Sequence, residues 1–147
     1  MINKLRVRAQ SESGFTLVEL LVVMLILGLL AAIAVPAFFN QRDKAADAKA
    51  KTTAKTTQTA IETFATDHGG KYTGATLGDL QTIEPTIPSS GVSIGTPGDK
   101  TYTIVSTAST GHTFTIDRAS TGAVTYPCTV AGEGGCPGGT PAPGWGG

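Results

Sequence analysis

The chain has 147 residues, room for one modest domain beside an export segment. Charged residues make up 15% of it, against ~25% in an ordinary soluble domain, and the formal net charge is zero, so bulk electrostatics announce no polyanion-binding protein. Two cysteines, Cys128 and Cys136, are too few for a four-ligand zinc site and lack CxxC spacing.

Three basic residues, Lys4, Arg6 and Arg8, precede a long apolar run. Residues 15–39 carry one charge, Glu19, and residues 20–39 carry none. Roughly 20 helical residues cross a bilayer core, and flanking cations favour the cytoplasmic side, which would put the rest of the chain outside. Three readings compete for this segment. It is a plain membrane anchor, or an ordinary secretory signal with an A-x-A-like site at Ala32-Ile33-Ala34 and cleavage before Val35, or a leader cut between Gly14 and Phe15. Glu19 separates them. A carboxylate in an apolar membrane helix costs about 2.5–3.5 kcal/mol, and neither an anchor nor a signal core has a use for it. A chain starting at Phe15 carries a new α-amine four residues before Glu19, a charge that a neighbouring copy's carboxylate can meet.

The stretch Gly14-Phe15-Thr16-Leu17-Val18-Glu19-Leu20-Leu21-Val22-Val23 resembles the processing site shared by type IV pilins and type II secretion pseudopilins. The likeness continues through Gly28 and Ala34-Val35-Pro36 and covers roughly residues 1–70. It implies a leader over residues 1–14, a prepilin peptidase that requires Gly14, and an N-methylated Phe15. It also implies that Glu19 pairs with the α-amine of an adjacent subunit. Positions 15 and 19 share a helix face, so pairing within one chain stays open as well. Gly28 and Pro36 weaken a helix, Pro36 by lacking an N–H, and the resemblance implies that the segment between them melts in the assembled filament. The partners implied are other copies of the chain, the peptidase/methylase, an assembly platform with a cytoplasmic ATPase, and the membrane beforehand.

Beyond the apolar segment (15–39), Ala46, Ala50, Ala54, Thr57, Ile61 and Phe64 recur every three or four residues, an amphipathic stripe over residues 40–68 suited to a sheet. Asp43, Lys44, Asp47, Lys49, Lys51 and Lys55 are read as a solvated or subunit-facing surface, with a DNA-binding patch as the lesser alternative. Asp67-His68-Gly69-Gly70 reads as the helix end, with His68 part of it.

Residues 69–99 read as a connector in which Leu77, Leu80 and Ile83 make one helical turn. Alternation then gives three strands within residues 100–127, with Tyr102 and Ile104, Phe114 and Ile116, and Val124 and Tyr126 as facing pairs. His112 is read as a surface residue at a strand entry. The fold class expected is α+β: a long N-terminal helix packed on a small antiparallel sheet of three to four strands.

Residues 128–147 read as a cysteine-bounded loop and a mobile Gly/Pro-rich tail, in which Trp145 is read as part of a disordered end, with a sticky contact as the lesser alternative. In an exported protein Cys128 and Cys136 are read as a disulfide, a closure that stabilises by roughly 2.5 kcal/mol. No nucleophile motif, phosphate-binding loop or metal-ligand cluster is present, and Glu84, Asp99 and Asp117 are scattered, so no enzyme, cofactor or metal is expected. The expected protein is a filament subunit, membrane-staged and then extracellular, compatible with adhesion, motility or DNA uptake. The rivals are a pseudopilin and a secreted soluble binding domain starting at Val35.

Overall fold

The computed structural model describes residues 14–129, 131–137 and 144–146. The chain divides into two compact units, Met1–Phe38 and Phe39–Gly147. A single helix, α1 (Leu17–Asp67), contributes to both. Thr16 starts it: its carbonyl accepts from the Leu20 N–H at 3.2 Å and its hydroxyl from the Glu19 N–H at 3.2 Å. A hydroxyl at this position satisfies one of the four N–H groups that a helix leaves unpaired at its start. The helix stops after Asp67 as the two glycines predict. Gly69 and Gly70 take φ of 65° and 79°, and the Gly70 N–H closes on the Ala65 carbonyl at 2.7 Å.

In the first unit, Leu17 to Phe38 of α1 are exposed along their whole length, and helix is continuous through Gly28 and Pro36. Leucine, isoleucine and valine fill this stretch on every side, so it has no polar face to present to water.

In the second unit the helix becomes amphipathic. Ala50, Ala54, Thr57, Ala60, Ile61, Phe64 and Ala65 are buried: the expected stripe without Ala46, which is half-buried, and with Ala60 and Ala65 added. They pack on a four-stranded antiparallel sheet of order β1-β2-β3-β4, made of β1 (Val92–Ile94), β2 (Tyr102–Thr107), β3 (Thr113–Arg118) and β4 (Val124–Thr125). Tyr102, Ile104 and Ser106 of β2 and Phe114 and Ile116 of β3 point inward, opposite Ile61, Ala54 and their neighbours. The register Ile104↔Ile116 sets these side chains on one face.

The sheet differs from the sequence-based expectation at its first strand. Val92–Ile94 falls inside the stretch read as connector, and pairs with β2 through Val92↔Ser106 and Ile94↔Ile104. Three residues between Gly91 and Gly95 are too few to display an alternating pattern. Helix α2 (Leu77–Ile83) is the expected turn, closed at its start by Thr76 and Asp79, each bonding the other's backbone N–H at 3.2 and 2.9 Å.

Candidate functional site

Gly14 and Phe15 lie just ahead of α1, both exposed, Phe15 at 78%. Residues 1–13, within the leader expected over 1–14, lie outside the described residues. Because α1 starts at Leu17, Glu19 stands in its first turn. There the unpaired N–H groups and the helix dipole favour a negative charge. Among the described residues no basic group lies within ion-pairing distance of its carboxylate. One helix end thus holds an exposed backbone segment at Gly14-Phe15, a capping threonine and a carboxylate, followed by an apolar surface that nothing in its own unit covers. Such an arrangement cannot rest in water. It calls for lipid, or for other apolar helices together with a cation.

Among the described residues of the second unit, three clusters of polar contacts join α1 to the later chain. The first centres on Asp47, which is 2% exposed and not on the solvated surface expected of it. Its carboxylate accepts from the Thr110 hydroxyl at 2.6 Å and lies 2.9 Å from Nδ1 of His112. Nε2 of His112 in turn lies 3.7 Å from Glu133 in the cysteine-bounded loop. His112 is therefore a bridge, with 18% of its side chain exposed, and not a free surface residue at a strand entry. A buried carboxylate demands such partners, and this is why the β2–β3 turn and the loop close on the helix here.

The second contact centres on Glu62, which accepts from the hydroxyls of Tyr72 and Tyr102 at 2.7 and 2.8 Å and from Arg118 at 3.3 Å. The two rings meet edge to face. Burial, with the adjoining Glu62 carboxylate, pushes the Tyr72 phenol up to about 12 and that of Tyr102 higher still.

The third is made by Lys51 and Lys55, both half-buried. Lys51 donates to the Gly135 carbonyl at 2.8 Å, and Lys55 sits 3.8 Å over the Tyr126 ring and 5.5 Å from that of Trp145. Hydrogen bonding and charge from Lys55 hold the Tyr126 phenol below its ordinary value. Trp145 is not part of a disordered end. Its indole N–H donates to the Thr115 and Pro127 carbonyls at 3.0 and 3.2 Å, and its ring packs edge to face on Phe114 and Tyr126. The rest of the tail, residues 138–143 and 147, lies outside the described residues.

Cys128 and Cys136 are joined as a disulfide. Its loop needs glycine where it meets the helix. Gly134 has φ of 57°, and a Cβ there would collide with Asp47 and His112. His68 stacks on Phe64 and its Nδ1 lies 2.8 Å from the Phe64 carbonyl, at the helix end as expected. Asp99 pairs with Lys71 at 3.2 Å, while Glu84 and Asp117 accept from Thr86 and Thr103. Among the described residues no three His, Cys, Asp or Glu side chains converge as a metal would require.

Comparison with known proteins finds one family model within the first unit and relatives alike over longer stretches. Residues 10–35 match the family model of the prokaryotic N-terminal methylation motif. The chain is 45% identical over 51 residues to the type IV major pilin protein PilA of Myxococcus xanthus, covering 35% of this chain and 23% of that one. It is 34% identical over 83 residues to the type II secretion system core protein G of Klebsiella michiganensis, covering 55% and 57%. It is 36% identical over 77 residues to the type IV narrow pilus major component PilA5 of Thermus thermophilus, covering 43% and 66%. The chain thus spans less than two thirds of the length of each of these relatives. No solved structure matches it.

Proposed function

Because the chain belongs to the superfamily of type IV pilins and type II secretion pseudopilins, we propose that it is the structural subunit of a type IV pilus-like surface filament. The observation that carries this is Glu19, a lone carboxylate in the first turn of a helix whose next 20 residues are apolar or small and exposed. Before assembly the apolar segment anchors the subunit in the cytoplasmic membrane, with Lys4, Arg6 and Arg8 on the cytoplasmic side. A prepilin peptidase cuts between Gly14 and Phe15, and the Phe15 amine is methylated. The membrane cost of Glu19 then becomes a driving term for leaving the lipid, since the α-amine of an adjacent subunit neutralises it in the filament core. Thr16 leaves that carboxylate available by capping the helix through its own hydroxyl and carbonyl.

The subunit's role is structural, with motion supplied by an assembly platform and a cytoplasmic ATPase. Between Gly28 and Pro36 the helix melts on assembly, where neighbouring subunits compensate for the lost hydrogen bonds and Pro36 has no N–H to lose. The alternative, a type II secretion pseudopilin, draws on the 83-residue likeness to core protein G. A subunit of the first kind builds long extracellular fibres; one of the second kind does not, and its loss impairs secretion.

Mass spectrometry of the mature chain tests the processing. A first residue of Phe15 carrying one extra methyl group is expected, whereas a first residue of Val35 would overturn the reading in favour of a secreted domain. Replacing Glu19 by Ala in the producing cell should leave cleavage and membrane insertion intact and abolish filaments. Filament yield equal to that of the unchanged protein would refute the role given to the carboxylate.

A further inference from the structure

Arg118 closes β3, and its guanidinium has five N–H donors, of which one is used among the described residues. Nη1 reaches Glu62 at 3.3 Å, longer than the ~2.7–2.9 Å of a close charged pair. Glu62 is already engaged, since the Tyr72 and Tyr102 hydroxyls hold its two oxygens at 2.7 and 2.8 Å. The guanidinium is nevertheless held in place. It lies 5.4 Å from the centre of the Tyr72 ring, and Nη2 sits beside Gly122 of the β3–β4 turn, 3.9 Å from where a Cβ would stand.

Among the described residues, Nε of Arg118 is the one buried side-chain nitrogen or oxygen without a hydrogen-bond partner. A buried donor left in this state costs free energy, so a native fold normally supplies an acceptor. Nε–H and one N–H of Nη2 form the two-pronged edge that fits a carboxylate or a phosphate, and here neither prong is taken. Arg118 borders a hollow of about 290 Å³, whose lining also includes Lys100 and the turn residues Ser120 and Thr121. Lys100 is exposed and forms no ion pair among the described residues. Its neighbour Asp99 is taken by Lys71 and Thr73, and no acid lines the hollow among the described residues. Two cations therefore border a space that holds no counter-charge.

We propose that this hollow binds a phosphate group between Arg118 and Lys100. Nη2 meets the anion directly, and a slight swing of the guanidinium, opposed chiefly by the long Glu62 contact, presents Nε–H beside it. Lys100 adds a point charge, and the Ser120 and Thr121 hydroxyls add donors from the turn. Donors arriving from three directions suit a tetrahedral oxyanion, whereas a carboxylate offers its oxygens in a single plane. A phosphate monoester carries about −1.5 to −2 near pH 7, which suits two cations of which one is partly offset by Glu62. The site lies wholly in the second unit and does not depend on the filament reading.

The test is an NMR titration of the full-length protein in maltoside micelles, which carry no phosphate, with inorganic phosphate, methyl phosphate and acetate. Both phosphates should produce saturable shifts at the Arg118 Nε–H resonance and at the Ser120, Thr121 and Gly122 amides. Acetate should bind about tenfold more weakly, the worth of one hydrogen bond to a charged group. Arg118→Lys keeps the charge without the two-pronged edge and should weaken both phosphates by about the same tenfold. Lys100→Gln should weaken them about fivefold, the worth of an exposed charge contact. Tighter binding of methyl phosphate than of inorganic phosphate would identify an esterified phosphate as the ligand, and the reverse or equality free phosphate. Absence of saturable shifts with both phosphates would overturn the proposal, as would equal affinity for acetate and phosphate. If Arg118→Lys disturbs the amide spectrum as a whole, the exposed Lys100→Gln decides, and unchanged phosphate affinity in that variant would sink the site.

Discussion

A carboxylate withdrawn from water needs hydrogen bonds to remain charged, and Asp47 receives them from Thr110 and His112, more than sixty residues away in the chain. Removing His112 leaves that carboxylate buried with one partner lost. His112→Ala should therefore cost about 2 kcal/mol of stability, the scale of a hydrogen bond to a charged group. In a chain already carrying Asp47→Ala the same substitution should cost less than half of that, because the group needing a partner is gone. Denaturant midpoints of the two single variants and the double variant measure this, and additive losses would show that the two residues act separately. The position was legible, although its burial was not read. Asp47 stands three residues before Ala50 and seven before Ala54, in step with the buried stripe. Its charge assigned it to the surface, since only the distant Thr110 and His112 make burial tolerable. Trp145 was hidden similarly: its Gly and Pro neighbours suggest a free end, and its partners Thr115, Pro127 and Tyr126 come together only through the sheet.

At the scale of elements, α2 shows how a short helix is held by its first turn. Seven residues are too few for a helix to persist in water unaided, so the reciprocal bonds of Thr76 and Asp79 and the burial of Leu80 define it. Thr76→Ala should cost about 1 kcal/mol, the usual loss for a missing cap. Hydrogen bonding from Thr76 also holds the Asp79 carboxyl below the ordinary range. A lowered value means that the unfolded chain binds its proton first as pH falls, so this stabilisation is complete above the ordinary carboxylate range and is lost on acidification through it. The acid limb of the stability curve should accordingly be shallower in Thr76→Ala than in the unchanged protein, and superimposable limbs would exclude the cap as its source. The long helix, its glycine stop, α2 and the inward pairs of β2 and β3 were readable because each is a local pattern of spacing or cap. Strand β1 was not. Val92, Ser93 and Ile94 belong to the sheet because β2 offers them hydrogen bonds, a fact of tertiary pairing and not of their own composition.

Taken whole, the molecule assigns two solvents to its two units. Leucines, isoleucines and valines from Leu17 onward lie exposed with no polar face, whereas the unit from Phe39 encloses its own core of Ile61, Phe64, Leu80, Tyr102, Ile104, Phe114 and Ile116. Only the first therefore requires lipid, detergent or copies of itself. A chain beginning at Asn40 should fold, remain monomeric without detergent and keep the polar contacts that report on the helix–sheet seam. The three tyrosines supply the readout, because their phenols are displaced in different directions by different neighbours. Tyrosinate absorbance should appear first at Tyr126, held low by Lys55, then at Tyr72 near pH 12, and last at Tyr102, assigned by single Tyr→Phe replacements. The sign for stability follows from the raised pair. Above the ordinary tyrosine value of 10.0 the unfolded chain has released protons that the folded one still holds, so stability must fall as pH climbs through that interval. Replacing Glu62 by Gln removes the charge that opposes ionisation while leaving an acceptor for both hydroxyls. It should move Tyr72 and Tyr102 downward, leave Tyr126 in place and flatten the alkaline loss. If the shortened chain needs detergent, or if its tyrosines ionise together near their ordinary value, the second unit does not hold its helix–sheet seam without the first.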